Sequence, residues 1–505
     1  MDSIDRQMIV SDLPVFIKNF TQALKRIFYE EHDINQLSLD RGLPPLVWEK
    51  IMDTHPLAVA VPQAYGGRGC FVKECLALLS AASYESLPLS LTFGINVALF
   101  LEPLAKYGTT EMKAAILPDF VQKQRMGGLM ITEPDFGSDA LNMKTAYVEK
   151  EDGFFIKGLK HWQGLTGQAD YWLVAARKNL GNGELARDVD FFVTRHELPE
   201  QRIQVESYYN NLGLYMIPYG LNRIDVQVPK NQRLQPESTG IKMMLDVLHR
   251  SRMQFPGMGM GFIRRMLDEA LLHCRSRVVG TGNLLALDAV QYQLSRIQTA
   301  FTICSAMCHK SSRISGIEHS LATEGLEANS MKALVTDLMQ ESAQLCLQVS
   351  GANGYKISHI AGRGIVDSRP FQIFEGSNEM LYTQIAELVT KRMKKQKATK
   401  LFDFLSGFAL TTRSCLYFRE LLNFVPGESL SQRKLVDLGR IIARIISVQY
   451  VLELQDTGFR KDLVDNSIDN MQLDVAHLVS NLSRPNRTDA VYDYQEQSDW
   501  LQFTV

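Results

Sequence analysis

Hydrophobic periodicity changes twice along this chain, and those changes constrain the fold more than any other feature. From Ile4 to about Gln124 apolar residues recur at three and four positions, as in LPVFIKNFTQALKRIFYEE and VKECLALLSAASYESL. That spacing is one face of a helix. Between about Met126 and Val228 the texture becomes short, aromatic and β-branched: GFFIKGLKHW, YWLVAAR, VDFFVTRH and NRIDVQVPK, with Gly, Asn and Asp between them, read as strands. From about Gly240 to Lys395 long helical patterns return, for example ANSMKALVTDLMQESAQLCLQV. The order helix, strand, helix predicts an α+β chain, mostly α, with a helical domain at 1–125, a β domain at 126–239 and a helical bundle at 240–395. The charge run KRMKKQKATK, Lys391 to Lys400, then reads as a solvated helix end, and residues 396–505 as an appended helical module.

Composition narrows the function. Lys and Arg number 54 against 56 Asp and Glu, a net charge of -2, so no global field recruits nucleic acid, and none is expected as a partner. The hydrophobic fraction is 45% and the charged fraction 22%, as in a globular protein. Seven scattered cysteines fit a reducing compartment. Cys304 and Cys308 lie one helical turn apart without a second pair, so they read as small buried side chains and no metal is assigned. The N-terminus lacks the pattern of a signal or transit peptide, and no run of about 18 uncharged apolar residues is apparent. A cytoplasmic enzyme is the expectation.

The glycines of PGMGMGF, Pro256 to Phe262, lack the dinucleotide spacing and follow no strand; they predict close helix packing. Three other stretches carry chemistry. MITEPDFGSD, Met130 to Asp139, leads into GFFIKGLKHWQGLTGQADYWLVAAR; QVSGANGY, Gln348 to Tyr355, and IFEGSNEM, Ile373 to Met380, follow much later. Thr132, Gly137 and Ser138 would offer hydroxyl and backbone donors to a polar heterocycle and its phosphates. Trp162 can cover a flat ring. Glu375, after the apolar pair Ile373-Phe374 and before Gly376, is an acid set where an apolar segment turns.

In these motifs, in this order, the chain resembles the acyl-CoA dehydrogenase family over about residues 10 to 395. That family carries TEPxxGSD, G-x-K-x-W-I-T-N, Q-x-x-GGxG(Y/F) and I-Y-E-G-T-x-E/Q. The resemblance implies FAD, with the flavin against Ile131, Thr132 and Trp162 to Gly164, and Ser138 near the acyl thioester. It implies that Arg252 lies by the substrate, that Arg277 grips the FAD pyrophosphate of a neighbouring subunit, and that Gln348, Gly351, Ser377 and Glu379 meet the adenine-ribose end. A homo-oligomer follows, a dimer in preference to a tetramer. Glu375 falls on the base that removes the proton next to the thioester carbonyl, and Gly376 lets the substrate pass close to the backbone.

The implied reaction is α,β-dehydrogenation of an acyl-CoA or acyl-carrier thioester to a trans-2-enoyl thioester. Hydride would pass to flavin N5 and electrons to an electron-transfer flavoprotein. An oxidase on the same scaffold, or a non-catalytic flavoprotein that binds nucleic acid or a protein partner, are the alternatives. The sequence departs from the family pattern at Trp162-Gln163-Gly164-Leu165, where the threonine hydroxyl is missing, and at Phe374, where the family has tyrosine. Such drift suggests a substrate outside common β-oxidation, and the basic run at Lys391 to Lys400 could meet an acidic carrier or a membrane surface.

Overall fold

A computed structural model describes residues 9–137, 139–427, 430–484 and 489–504. The first domain is helical, with α1 (Leu13–Lys25), α2 (Val72–Glu85), α3 (Leu87–Asn96) and α4 (Thr110–Gln122) as its principal members. Beyond α3 the chain stays helical through a π-turn and a last short helix, giving one apolar rod, Leu87–Tyr107, of 21 residues. By length and composition this rod could cross a membrane, contrary to the expectation from sequence. In the fold it is almost wholly enclosed by protein. Its one acid in the span, Glu102, is buried and accepts both hydrogen bonds of the Gln254 amide, at 2.9 and 2.8 Å.

The middle domain is a seven-stranded sheet. Its strands are β1 (Gly127–Met130), β2 (Ala146–Lys150), β3 (Gly153–His161), β4 (Tyr171–Lys178), β5 (Asp190–Arg195), β6 (Gln204–Tyr208) and β7 (Gly220–Val228). The order is β1-β4-β2-β3-β7-β6, with β5 paired to the other side of β4 along part of its length. β1 runs parallel to β4, and β3 pairs with β7 antiparallel from Phe154 opposite Val228 to His161 opposite Leu221. β1 and β3 therefore end near one another, and the loops leaving them, 131–137 and 162–170, meet at one corner of the sheet: the His161 N–H donates to Thr132 O at 3.0 Å.

Five long helices follow: α5 (Gly240–Arg252), α6 (Phe255–Ser276), α7 (Asp288–Ile314), α8 (Gly325–Ser350) and α9 (Asn378–Gln396). The glycines of PGMGMGF do what the sequence predicts. A Cβ on Gly261 would stand 1.9 Å from Ser80 O, and one on Gly259 would stand 2.5 Å from Val335, so α6 lies directly against α2 and α8. The chain beyond Lys400 is less separate than the word appended suggests. Its helices α10 (Gln432–Gln455) and α11 (Lys461–Ser483) extend the bundle, and Leu438, Ile441, Ile445, Val448 and Met471 share the common core. Arg296 on α7 binds Glu341 and Asp474, each at 2.8 Å, and Arg444 on α10 reaches Asp474 at 3.1 Å.

Candidate active site

Glu375 sits in a turn that few sequences could hold. Its φ is +53° and that of Gly376 is +93°. The first is a left-handed conformation that costs a residue with a side chain about 1–2 kcal/mol, so the surroundings must impose it. The entry to the turn is anchored by Phe374, whose ring lies 4.9 Å from Phe371 and 6.1 Å from Phe255. The exit is fixed by Ser377, which caps α9 by accepting from Met380 N. Between them two cations hold the backbone. Arg252 donates to the Glu375 carbonyl from Nε at 3.1 Å and Nη2 at 2.8 Å, and Lys332 donates to the Gly376 carbonyl at 2.7 Å. A Cβ on Gly376 would crowd the Met380 methyl at 2.7 Å and Arg252 at 3.3 Å, and the φ of +93° is what calls for glycine there.

The Glu375 carboxylate takes no part in capping α9. Oε1 accepts from Ser251 Oγ at 2.9 Å, while Oε2 is buried and has no hydrogen-bond partner among the described residues. Burial raises its pKa above the ordinary glutamate value, opposed by Arg252, the Ser251 hydroxyl and Lys332. An acid with one idle oxygen and a raised pKa, on an imposed turn, is suited to take a proton from a molecule seated against that oxygen.

The turn opens on a cleft of about 230 Å³ between the first two domains and the bundle. Ile131, Thr132, Gly137, Trp162 and Gly164 enter its lining from the β domain, Arg252, Glu375 and Gly376 from the bundle, with Leu91, Ile95, Leu99, Leu248, Phe374 and Met380 among the apolar lining. A larger groove, about 560 Å³, runs between α1, α2, α6 and α7. Its acid, Glu85, also keeps one oxygen without a partner, but the other accepts from Tyr29 at 2.8 Å and pairs with Arg265 at 3.4 Å, so its charge is already answered.

The β-domain part of the lining is shaped by a buried ion pair. Glu133 accepts from the N–H groups of Lys144 and Thr145 and from Lys160 Nζ at 2.9 Å, and Lys160 also donates to Ile131 O at 2.8 Å. Burial pulls Lys160 down to about 8, yet Glu133 stays below its ordinary value because Lys160 and the backbone donors outweigh its own burial. The pair pins the 131–137 loop to β3. Trp162 then takes φ +59° and leaves its ring half exposed in the cleft, 4.5 Å from Tyr209. Gln163 turns inward to Thr132 O and Asn222.

Other expected residues lie elsewhere. Ser138 is outside the described residues. Ser377 and Glu379 face a separate polar pocket behind the turn, beside Arg369 and Arg440. Arg277, at the end of α6, and Gln348 and Gly351, at the end of α8, are exposed and outside the cleft. Arg252 lines the cleft as expected, but all three of its guanidinium nitrogens donate to protein, the third to Asn329 at 2.8 Å. Three of its five N–H groups thus hold the turn, and the second N–H of each terminal nitrogen is not engaged by these bonds. Sequence reasoning missed Ser251, Asn329 and Lys332. Lys332 left one signal: a lone lysine in SMKALV, a helical stretch in which every neighbour is apolar or small.

Three family models match in succession: the N-terminal domain of acyl-CoA dehydrogenase over residues 18–124, the middle domain over 128–225 and the C-terminal domain over 238–390. The chain belongs to the acyl-CoA dehydrogenase family. It is similar to the human very long-chain specific acyl-CoA dehydrogenase, 21% identical over 383 residues, which is 74% of this chain and spans 57% of that protein's length. Among solved structures it is similar to an acyl-CoA dehydrogenase complexed with FAD from Bacillus anthracis, at TM-score 0.72 and 16% identity, covering 96% of each chain. That overlap takes in α10 and α11, so the acyl-CoA dehydrogenase fold with this extension recurs elsewhere. The prolyl acyl carrier protein oxidase AnaB matches at TM-score 0.66 and 18% identity over 77% of this chain and 99% of its own.

Proposed function

We propose that this protein desaturates an acyl thioester between its α and β carbons with FAD, Glu375 removing the α-proton. The carrying observation is the idle Oε2 of Glu375 in an apolar cleft. Ile131, Thr132, Trp162 and Gly164 fit the flavin: they reach the cleft from the β domain while Glu375 reaches it from the bundle, and Trp162 offers a half-exposed flat ring. Bound there, FAD supplies the hydride acceptor.

The chain's own residues do the rest. Glu375 Oε2 takes the α-proton, Ser251 keeps the carboxylate aimed through Oε1, and Leu91, Ile95, Leu99 and Leu248 exclude water from the acyl chain. A positioned base of this kind contributes about 10²- to 10⁴-fold. Arg252 is engaged by the protein, and Glu375 is the one acid among the described lining residues. The apolar part of the lining, Leu91, Ile95, Leu99, Leu248 and Met380, supports an uncharged, apolar acyl group. The exposed Arg277, Gln348 and Gly351 suit contacts made across a dimer to a second copy's cofactor, and an electron-transfer flavoprotein is the proposed acceptor.

Anaerobic titration of the purified yellow protein with CoA and carrier-protein thioesters tests the proposal. Bleaching of the flavin by uncharged acyl thioesters, faster than by glutaryl or prolyl forms, is the expected result. A flavin that no thioester reduces would overturn it, and peroxide release under air would assign the oxidase form.

A further inference from the structure

A buried cation lies beneath the turn that carries Glu375. Lys332 is in the first half of α8, flanked by buried Met331, Ala333, Leu334 and Val335, and is itself fully enclosed. Its Nζ donates to Gly376 O at 2.7 Å and to Asn378 Oδ1 at 3.0 Å. Both acceptors are neutral. Taking an ammonium out of water costs several kcal/mol, and two dipoles offset only part of that, so a counter-charge is needed close by.

The charged groups that face Lys332 are Glu375 across the turn, Asp337 one turn along α8, Glu379 on α9 and, of its own sign, Arg252 on α5. Asp337 accepts from three neutral donors, Gln372, Asn378 and Tyr382, each at 2.7 Å, and keeps its charge, but pulls on Lys332 less than Glu375 does. Glu379 is exposed, where solvent screens it. Of the three acids Glu375 pulls hardest on Lys332, and Lys332 also holds its turn through the adjoining Gly376 carbonyl.

We propose that Lys332 is the buried counter-cation of Glu375, a positioning residue that fixes the Glu375–Gly376 turn through the Gly376 carbonyl and keeps the carboxylate in its ionised, proton-accepting form. This rests on Glu375 being the base. The mutual pull runs both ways: burial takes the Lys332 ammonium down to about 7 against the attraction of Glu375, and Lys332 lowers Glu375 against its burial. When Glu375 accepts the α-proton its charge disappears and Lys332 loses the strongest of its counter-charges. The proton is thereby held ready to leave once product has gone.

Two variants separate charge from hydrogen bonding. Lys332→Gln keeps a donor for the Gly376 carbonyl and loses the charge; Lys332→Arg keeps the charge. In the flavin-loaded protein, the acid limb of the flavin-reduction rate against pH should move up by about one unit or more in Lys332→Gln. In Lys332→Arg it should stay near the parent. A Lys332→Gln limb at the parent midpoint would overturn the proposal, since a merely structural lysine predicts that.

A second readout needs no turnover. In a thermal-unfolding cycle at pH 7, Lys332→Gln and Glu375→Gln should be non-additive, the double variant being more stable than the two single losses sum to. Strict additivity would refute the pairing. If Lys332→Gln alone does not accumulate folded, recovery by adding Glu375→Gln supports the pairing and failure to recover contradicts it. Normal turnover by Glu375→Gln would instead remove the base, a different failure.

Discussion

Two charge clusters in the helical bundle, one partly buried where the C-terminal helices join and one beneath the cleft, are built on opposite rules. Where the C-terminal helices join the bundle, each charge meets its opposite: Arg296 with Glu341 and Asp474, and Arg444 with Asp474. Beneath the cleft the charges are kept apart. Glu375 has an oxygen with no partner, Arg252 and Lys332 donate to carbonyl and amide oxygens, and among the described residues no carboxylate closes on either cation. A saturated network has nothing left to offer a ligand and serves to fasten helices. An unsaturated one stores unmet electrostatic demand that a substrate proton can answer.

That contrast can be broken from either side. The largest effect is expected at the acid. Glu375→Gln should leave a folded yellow protein whose flavin reduction by a good thioester, followed by anaerobic stopped flow, falls by about 10²- to 10⁴-fold. Next comes the saturated side. Asp474→Ala leaves Arg296 with one acid and Arg444 short of its own, and should lower stability by about 1.5–3 kcal/mol in urea unfolding while the surviving folded protein reduces flavin at nearly the parent rate. A large loss of rate with stability unchanged would erase the distinction between the two clusters.

A smaller effect separates the two oxygens of Glu375. Ser251→Ala removes the one hydrogen bond to the carboxylate, a bond to a charged group worth about 1.5–3 kcal/mol, so the rate below neutrality should drop about tenfold or more. The sign of the pH effect follows. The base acts only when ionised and its pKa lies above the ordinary glutamate value, so the parent rate should climb as pH rises through that midpoint and fade below it. Losing Ser251, whose hydroxyl favours the charged form, should move the climb to higher pH. A downward shift would mean that the Ser251 hydroxyl does not favour the charged form of this carboxylate.

The fold was largely legible because periodicity is local: the switch from a three-and-four spacing to short aromatic strands and back marks helix, sheet and bundle. Glu375 was legible because its motif is contiguous and its flanks are apolar. What surrounds it was not. Ser251 and Lys332 reach the turn from residues 124 and 44 positions away in sequence, and a lysine pointing inward looks in a sequence like a lysine pointing out. Arg252 lines the cleft, but its bonds to the Glu375 carbonyl and Asn329 were not legible, because packing decides which partners a guanidinium meets. The helices after Lys400 read as an addition; the shared core around Ile441 and Ile445, and Gly439 lying where a Cβ would stand 2.0 Å from Tyr382 O, make them a layer of the bundle.

The account turns on Glu375 as the group that takes a proton from carbon. Incubating the loaded protein with an acyl thioester analogue that binds but cannot lose hydride, in heavy water, reads that step alone by mass spectrometry. The parent protein should wash deuterium into the α-carbon, and Glu375→Gln should not. Exchange by Glu375→Gln at the parent rate would contradict the account.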